Sequence, residues 1–443
     1  MKEQNIQITR DALALALEAG ARKARVTLAR STENLVSTLN GEVDKVTRCE
    51  DSSLSFALFV DGRFGSFSTN SLDRESLREF LGKAVGIVRM MAPDACRNLP
   101  SPERCCKTAI TGNELDLEDP AYTELTPERR RGIALSAAVF GKIKPEGYKI
   151  VSEEGEYADS RYETVVMDSQ GLVCLHTEDN FDYGVEVTVE AGGEKYSGYW
   201  WDSSSRLDKL AYAGCGETAV RRAAGQIGSG PVAGKKYNMV IDRDVASKVV
   251  SPLLNALNAY SIQQNNSFLM NSIGRKIFSE GMTIMDLPHI KGQTCSKLFD
   301  SEGVATSEGP IIEGGTVRKY FVNSYMAAKL GISPTVEDAT RPKVLPWPEP
   351  GMHLNDILRL CGDGIYVTEF NGGNSNAATG DFSYGVEGYL FEDGKIVKPV
   401  SGMLVTGNFL NLWNNFIAAG DDYRDCMSKL IPTLAFANVD FNG

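Results

Sequence analysis

The residue types that most often carry catalytic chemistry are sparse and scattered in this 443-residue sequence. The three histidines, His176, His289 and His353, lie far apart, and no two of them have the i, i+4 spacing of a helical zinc-binding pair. The sequence also contains no GxSxG nucleophile elbow, no phosphate-binding loop, no HExxH helix and no cysteine–histidine catalytic signature. The residues taken alone therefore indicate no self-contained active site.

One cysteine near the C-terminus, Cys426 in the segment DDYRDCMSK, could carry chemistry. The flanking Arg424 and Lys429 could lower the pKa of its thiol and make it nucleophilic, whereas a small buried hydrophobic side chain is the alternative. The aspartates of the same segment (421–425) could bind a hard cation, but they lack the spacing of an EF-hand and are typical of a solvated loop. The segment therefore offers candidates without a catalytic arrangement.

A longer pattern, from Gly364 to Gly420, predicts a peptide-binding surface. Residues 365–370 predict a strand, residues 371–381 are almost all Gly, Asn, Ala, Ser and Thr, and Asp393-Gly394 predicts a hairpin turn. A strand, a glycine-rich loop and a hairpin could together bind an extended peptide through main-chain hydrogen bonds. The alternative is a core meander with one long structural loop. The residues predicted to line a cavity or an interface are Asn371, Gly372, Gly373, Thr379, Gly380, Asp381, Ser383, Tyr384 and Gly385.

The elements that would position this surface are those of an α+β protein with two domains. Apolar periodicity predicts helices over 8–22, 127–140 and 207–226, the second of them capped by Thr126. Strands are predicted over 34–39, 42–48, 53–60, 148–154, 163–167, 172–177, 183–190 and 195–201, with a tight hairpin at Asp61-Gly62.

A polar segment rich in Gly and Pro, residues 225–236, predicts the domain boundary. The N-terminal domain, 1–228, is expected to be an antiparallel sheet with flanking helices. The C-terminal domain, 236–443, is expected to be mostly antiparallel β, as a barrel or a meander, with a few helices.

The charge, the apolar segments and the cysteine content of the chain exclude several classes of function. The chain has 46 basic residues (Lys+Arg) and 58 acidic ones (Asp+Glu), a net charge of −12 without a basic run, which argues against nucleic-acid binding. The N-terminus lacks an apolar signal region, and no apolar segment is long enough to span a membrane. Nine scattered cysteines without a CxxC are typical of a reducing compartment. We therefore expect a cytoplasmic protein with no nucleic-acid or membrane partner.

Five blocks of the sequence carry a family resemblance: LNGEVDKVTR (39–48), FVDGRFGSFSTNSLDRESL (59–77), FDSEGVATSEGPIIEGGTVRKYFVNSYMAAKLG (299–331), YVTEFNGGNSNAATGDFSYGVEGYLFEDGKIVKPV (366–400) and GNFLNLWNNFIAAGDD (407–422). Together they resemble the PmbA/TldD family, and specifically its PmbA (TldE) branch. The resemblance implies a subunit of a TldD–TldE type heterodimeric zinc metalloprotease that degrades or processes unfolded and small peptides. In that family the TldD-like subunit carries HExxxH on a helix and a cysteine near the C-terminus as its zinc ligands.

The same resemblance implies that this chain lacks the zinc ligands. Aligned on Ser279-Glu280, the two histidine positions fall near Val250/Ser251 and Asn255/Ala256, and residues 249–261 contain no His or Glu. Cys426 lies at the family's C-terminal cysteine position, but a single thiolate does not make a tetrahedral site. We expect no catalytic or metal-binding residue and no cofactor in this chain, and zinc in a TldD-like partner.

Three functions follow as hypotheses. The first is a non-catalytic TldE/PmbA-like subunit that pairs with a zinc-bearing TldD-like subunit and helps to bind the peptide substrate. The second is a stand-alone homodimeric peptide-binding or regulatory protein without protease activity. The third is an independent hydrolase with Cys426 as its nucleophile, for which the sequence shows no general base.

Overall fold

The computed structural model describes residues 2–443, which form two compact units. The first unit comprises the chain up to Val220 with His289–Thr306 and Asn323–Val336, and the second comprises Arg221–Pro288, Ser307–Val322 and Glu337–Gly443. The chain thus first passes from one unit to the other near residue 220, close to the glycine- and proline-rich segment. Two later segments pack with the first unit.

Sixteen strands and ten α-helices are assigned within residues 2–443. The strands are β1 (Lys23–Leu39), β2 (Glu42–Val60), β3 (Arg63–Thr69), β4 (Lys149–Asp168), β5 (Val173–Ala191), β6 (Glu194–Ser204), β7 (Lys235–Ile241), β8 (Ile284–Asp286), β9 (Gly309–Glu313), β10 (Thr316–Val317), β11 (Pro342–Val344), β12 (Gly364–Ser375), β13 (Asp381–Glu392), β14 (Lys395–Asn408), β15 (Phe416–Ala419) and β16 (Leu434–Asn442). The helices are α1 (Lys2–Glu18), α2 (Arg74–Met90), α3 (Ala121–Glu124), α4 (Pro127–Ser136), α5 (Cys215–Gly225), α6 (Ser247–Ala256), α7 (Ala259–Gln263), α8 (Ser324–Leu330), α9 (Leu354–Cys361) and α10 (Phe409–Asn414).

The first unit is built on a six-stranded antiparallel sheet in the order β3-β2-β1-β4-β5-β6, which curves into a half-barrel. The turns Asn40-Gly41 and Asp61-Gly62 join β1 to β2 and β2 to β3, and their four residues have φ between 49° and 80°. Positive φ at both turn residues is the geometry of a type I′ hairpin. The hairpin predicted at Asp61-Gly62 is therefore confirmed.

Helices cover one face of this sheet at two places. α1 and α2 pack on the end that carries the buried Val26 and Leu28 of β1. α4 packs on the other end of the same face, where the Tyr183 hydroxyl donates to the Ala134 carbonyl oxygen over 3.4 Å. Between the two helical layers, the same face of β1 carries polar side chains at positions 30 and 32.

Four strands of this sheet, β1, β2, β4 and β5, are much longer than predicted. The predicted strands 148–154 and 163–167 are parts of β4, and the predicted strands 172–177 and 183–190 are parts of β5. The polar segments between them remain in the sheet because ion pairs satisfy their buried carboxylates. Asp159 binds Arg130, and Asp179 binds Arg161, each with a closest N–O distance of 2.6 Å. Likewise, the predicted strand 34–39 is only the end of β1, and the predicted strands 42–48 and 53–60 are parts of β2.

The helix predictions are right in place and less accurate in their bounds. α1 ends at Glu18 rather than residue 22, and α4 ends at Ser136 rather than residue 140. The helix predicted over 207–226 is a short 3₁₀ turn followed by α5. The Thr126 cap is confirmed, because its hydroxyl accepts a hydrogen bond from the Arg129 amide over 3.2 Å. Within residues 2–443, no helix has the length and apolar content needed to cross a membrane.

The second unit contains a closed five-stranded barrel. The barrel strands run in the order β14-β13-β12-β7-β16, and a pairing of β14 with β16 closes the barrel, while β15 pairs with β16 as a sixth strand of the same sheet. β7 and β12 are parallel, and the neighbouring pairs are antiparallel. A separate four-stranded sheet has the order β10-β9-β8-β11. The predicted α+β class, with an antiparallel N-terminal sheet and a mostly antiparallel, barrel-like C-terminal part, is confirmed.

Candidate functional site

The glycine-rich segment is a hairpin of the barrel rather than the open loop predicted over 371–381. β12 continues to Ser375 and β13 begins at Asp381, so only residues 376–380 connect them. The pairing is irregular, with Asn371 opposite Gly385, Asn374 opposite Ser383, and a register shift between these two pairs. The hairpin therefore bulges where the glycines are concentrated.

Two glycines permit this bulge. Gly373 has φ +81°, and a Cβ built on it would overlap the Ser383 carbonyl oxygen. A Cβ on Gly385 would overlap the Asn371 carbonyl oxygen in the same way, whereas one on Gly372 would meet nothing within 4 Å. The strands approach closely because these two positions lack side chains.

The connection between the two strands is held by side-chain hydrogen bonds. The Thr379 hydroxyl donates to Asp381 Oδ2 over 2.6 Å, and Asn408 Nδ2 donates to Asp381 Oδ1 over 2.9 Å. The hydrogen bonds from Asn408 and then from Thr379 lower the pKa of the exposed Asp381 carboxyl. Asn408 also caps α10, since its Oδ1 accepts from the Leu410 amide over 3.0 Å. The hairpin connection is thus tied to the start of α10.

The nine predicted site residues all lie on this hairpin, but they differ in exposure. Asn371, Gly372, Gly373, Thr379 and Asp381 are exposed, Ser383 and Gly385 are half-buried, and Gly380 and Tyr384 are buried. Residues 371–379 form an unbroken exposed run. The exposed run is available to a peptide or a partner, whereas Gly380 and Tyr384 pack inside the unit.

Beneath the hairpin lies a row of aromatic rings. The Tyr384 ring centroid is 5.6 Å from that of Phe370 and 5.5 Å from that of Phe382. Phe382 in turn stacks on Phe409 of α10, with centroids 4.8 Å apart, and Phe409 stacks on Phe268 at 5.9 Å. Packing of this kind adds to the stability gained from burying the rings, so the aromatic row stabilises the base of the hairpin.

α6, on which the resemblance would place the zinc ligands, lies beside this aromatic row. Its Lys248 holds the ammonium nitrogen 4.6 Å from the centroid of the Tyr384 ring. Val250 and Leu253 are buried, and Pro252 lies inside the helix. The Lys248–Tyr384 contact was not predicted, because the two residues are far apart in the sequence and neither belongs to a motif.

The donor set of α6 does not fit zinc. The positions aligned with the family's histidines carry Val250, Ser251, Asn255 and Ala256, which offer no imidazole, thiolate or carboxylate. Lys248 places an ammonium group on the same helix, and its positive charge would repel a metal cation bound there. Within residues 2–443, no three His, Cys, Asp or Glu side chains form a cluster that could hold a metal ion.

The three histidines make local structural contacts at separate places. His176 Nε2 lies 3.3 Å from Glu178 Oε2, and His289 Nε2 lies 2.9 Å from the Thr306 hydroxyl. His353 is the N-cap of α9. The histidines therefore do not converge on a site.

Cys426 lies in a segment whose charged neighbours bind other residues. Arg424 donates to Asp244 over 3.2 Å, and the Asp425 carbonyl oxygen accepts from Arg341 over 2.7 Å. The Cys426 side chain is half-buried and forms no disulfide. A further aspartate of the segment, Asp422, accepts hydrogen bonds from the Thr433 amide and hydroxyl over 2.9 and 2.8 Å. The segment is thus fixed to its surroundings rather than solvated.

A buried charged cluster between β7 and α6 was missed by the sequence analysis. Asp242 follows β7 directly and accepts a hydrogen bond from the Tyr366 hydroxyl. Asp244, two residues on, binds Arg222 over 2.8 Å as well as Arg424. Burial, and then the charge of Asp244, raise the pKa of the Asp242 carboxyl. The sequence signal was a DRD tripeptide immediately after a strand.

Three family models match successive parts of the chain. They are described as PmbA/TldA metallopeptidase domain 1 over residues 24–88, the PmbA/TldA metallopeptidase central domain over residues 121–227, and the PmbA/TldA metallopeptidase C-terminal domain over residues 234–443. The chain belongs to the PmbA/TldD family. The family resemblance read from the sequence blocks is confirmed.

Individual relatives match along almost the whole chain. The metalloprotease PmbA of Escherichia coli O157:H7 is 28% identical, with 98% of this chain and 97% of the relative covered. A crystal structure from Bacteroides thetaiotaomicron, of a protein whose name associates it with the modulation of DNA gyrase, is 35% identical with a TM-score of 0.94 and 99% of both chains covered. TldE from Thermococcus kodakarensis shares the fold, with 19% identity, a TM-score of 0.84, and 98% and 100% of the two chains covered.

Proposed function

We propose that this chain is the non-catalytic subunit of a two-chain metallopeptidase that degrades or processes unfolded and small peptides. The observation that carries the proposal is the chemistry of α6. The chain matches all three domain models of a metallopeptidase family, yet this helix has no residue that binds zinc and holds a lysine beside Tyr384. Zinc and the water that it activates therefore belong to a TldD-like partner subunit.

The glycine-rich hairpin is the part of this chain that contacts the peptide or the partner. β7 pairs only with residues 364–367 of β12, so residues 371–375 pair on one side, with β13. These residues are exposed and have small side chains. An extended peptide adds to such an edge through main-chain hydrogen bonds, which accept many sequences because they do not depend on the peptide's side chains.

A second candidate function is a stand-alone homodimer that binds peptides without cleaving them. The same exposed edge supports it, because an unpaired strand edge is also a surface on which two copies can pair. The two candidates differ in whether a zinc-bearing partner binds this chain.

The experiment is to purify the chain and a TldD-like protein from the same genome, separately and after coexpression. Zinc is measured by elemental mass spectrometry, and peptide hydrolysis is followed with unstructured peptides. We expect one zinc per heterodimer, no stoichiometric zinc in this chain alone, and hydrolysis only with both chains present.

Three outcomes would contradict the proposal. Stoichiometric zinc in this chain alone would show that it has a metal site of its own. Hydrolysis by this chain alone that persists after chelation would support a metal-independent hydrolase. Failure of the two proteins to associate would favour the homodimer.

A further inference from the structure

The sheet of the first unit contains a polar cavity of about 380 Å³ in the gap between its two helical layers. Its floor is formed by neighbouring residues on one face of the sheet, with Arg30 of β1 between Ser52 of β2 and Glu163 of β4. Tyr122 of α3 and Arg161 of β4 also line it. A volume of this size lies at the lower end of small-molecule sites. None of these residues belongs to the hairpin or to α6, so the cavity is independent of the proposed function.

Arg30 is the unusual member of this cavity. Its Nε atom is buried and has no hydrogen-bond partner. In the chain from residue 2 to residue 443, its guanidinium forms no ion pair with a carboxylate. A buried guanidinium donor without an acceptor costs free energy, and arginine forks match carboxylates through paired N–H donors. Although Glu50, Asp51 and Glu163 also line the cavity, none of them forms an ion pair with Arg30 in the described residues, so Arg30 has a free capacity to bind an anion.

Three other arginines line the cavity, and each already has a carboxylate partner: Arg48 pairs with the exposed Glu50, whereas buried aspartates bind Arg130 and Arg161. Arg130 donates through Nε and Nη2 to Asp159 over 2.6 and 3.0 Å. Arg161 donates through Nε and Nη2 to Asp179 over 2.6 and 2.7 Å, and its guanidinium lies 4.5 Å from the Tyr122 ring centroid. These pairs fix the cavity wall in place without neutralising Arg30, so a ligand would enter a preorganised site.

Glu163 determines the kind of anion. It lies directly opposite Arg30 in the pairing of β1 with β4, where facing side chains are close neighbours, yet no ion pair joins the two in the part of the chain that the structure describes. A phosphate bound to Arg30 would be repelled by this carboxylate. A ligand that carries a carboxylate next to an ammonium group would satisfy both residues.

We infer that this cavity binds a small zwitterion, a free amino acid or a short peptide, with its carboxylate on Arg30 and its ammonium on Glu163. The hydroxyls of Thr32 and Ser52, which line the same floor, supply further hydrogen bonds. The inference rests on charge complementarity and on the unsatisfied Arg30 donor, and it holds whether or not the chain has a peptidase partner.

The test uses the full-length protein and isothermal titration calorimetry. The probes are the protein amino acids and the dipeptide Ala-Ala, each at up to about 10 mM, which reaches affinities in the millimolar range. The best binder is then compared with its N-acetyl and amide derivatives, which each lack one charge, and with inorganic phosphate. The protein variants are Arg30→Gln and Glu163→Gln. Arg78→Gln is the control, since Arg78 is an exposed arginine of α2.

We expect at least one amino acid or the dipeptide to bind saturably, and each single-charge derivative to bind about tenfold or more weakly. Arg30→Gln and Glu163→Gln should weaken binding by a similar factor, whereas Arg78→Gln should not. Binding of none of the zwitterions, unchanged affinity in both cavity variants, or tighter binding of phosphate would each overturn the inference. The derivative series uses the unchanged protein, so a variant that fails to fold leaves the test intact.

Discussion

Lys248 of α6 and Tyr384 of β13 are joined by a cation–π contact, with the ammonium nitrogen 4.6 Å from the ring centroid. Tyr384 is buried and Lys248 is half-buried, so the contact is partly shielded from water. It connects the helix that lacks zinc donors to the base of the glycine-rich hairpin. A positive charge thus lies on α6, the helix on which the family resemblance would place the zinc ligands.

A double-mutant cycle of Lys248→Met and Tyr384→Leu should give a coupling free energy of about 0.5–1 kcal/mol, the value for a partly shielded cation–π pair. Each free energy of unfolding would be measured by urea denaturation. Lys235→Met combined with Tyr384→Leu is the control and should show no coupling, because Lys235 lies over Tyr237 instead. Equal coupling in both cycles would mean that the contact contributes nothing specific.

Because of the hairpin bulge, alanine substitutions of two adjacent glycines should lower the free energy of unfolding by different amounts. Gly373→Ala should destabilise the protein by about 2–4 kcal/mol, because its Cβ would overlap the Ser383 carbonyl oxygen at a positive φ. Gly372→Ala, also at positive φ but with nothing within 4 Å of the added Cβ, should cost about 1 kcal/mol. Urea denaturation of both variants checks the difference, and equal costs would contradict the close approach of the two strands.

The buried carboxyl of Asp242 predicts a pH dependence of stability. Its pKa is raised above the ordinary value of 3.8, by burial first and the charge of Asp244 second. Between 3.8 and the raised value, the folded protein binds more protons at this site than the unfolded chain does. The contribution of Asp242 to the free energy of unfolding therefore falls as the pH rises through this window.

Asp242→Asn removes this titration and keeps an acceptor for the Tyr366 hydroxyl. Relative to the unchanged protein, the variant should gain stability as the pH rises from about 4 to about 7. Urea denaturation midpoints at several pH values measure the effect. A stability difference that is constant over this range would contradict the raised pKa.

The elements that the sequence predicted well are those with a local cause. The hairpins at Asp61-Gly62 and Asp393-Gly394 follow from residues that tolerate positive φ, and all four have φ between 49° and 75°. The predicted strands 148–154 and 163–167 leave a gap that contains Asp159, whereas β4 continues through it. That carboxylate is buried by an ion pair with Arg130 of α4, a contact between distant residues that periodicity does not reveal.

The candidate site likewise contains some features that follow from the local sequence and others that depend on contacts between distant residues. Composition marked residues 371–381 as a small, polar connection but predicted an open loop there rather than a β12–β13 hairpin. The continuation of β12 to Ser375 depends on the absence of a Cβ at Gly373 and Gly385, which matters only once the two strands face each other. The Lys248–Tyr384 contact likewise exists only after α6 has packed beside the barrel.

A substitution on the exposed edge of β12 is expected to reduce peptide hydrolysis without changing the stability of the chain. Asn374→Arg adds a long charged side chain on an exposed residue, so the stability of the isolated chain should change by less than about 0.5 kcal/mol. Peptide hydrolysis by the proposed two-chain enzyme should fall by about tenfold or more, because the new side chain obstructs the edge. Glu392→Arg, exposed at the opposite end of β13, is the control and should leave hydrolysis unchanged. Equal activities of the two variants would argue against a role of the hairpin in peptide or partner binding.

In contrast to Asn374→Arg, a substitution of Cys426 is expected to leave peptide hydrolysis unchanged. Cys426→Ala should leave peptide hydrolysis by the proposed two-chain enzyme unchanged, because α6 supplies no donor that could complete a metal site with this thiol. The free energy of unfolding should fall by less than about 1.5 kcal/mol, as expected for truncation of a half-buried side chain. Hydrolysis rates, zinc content and association of the two chains would be measured on the same preparations. A large loss of hydrolysis with normal association and zinc content would instead assign a chemical role to this thiol and revive the hydrolase hypothesis.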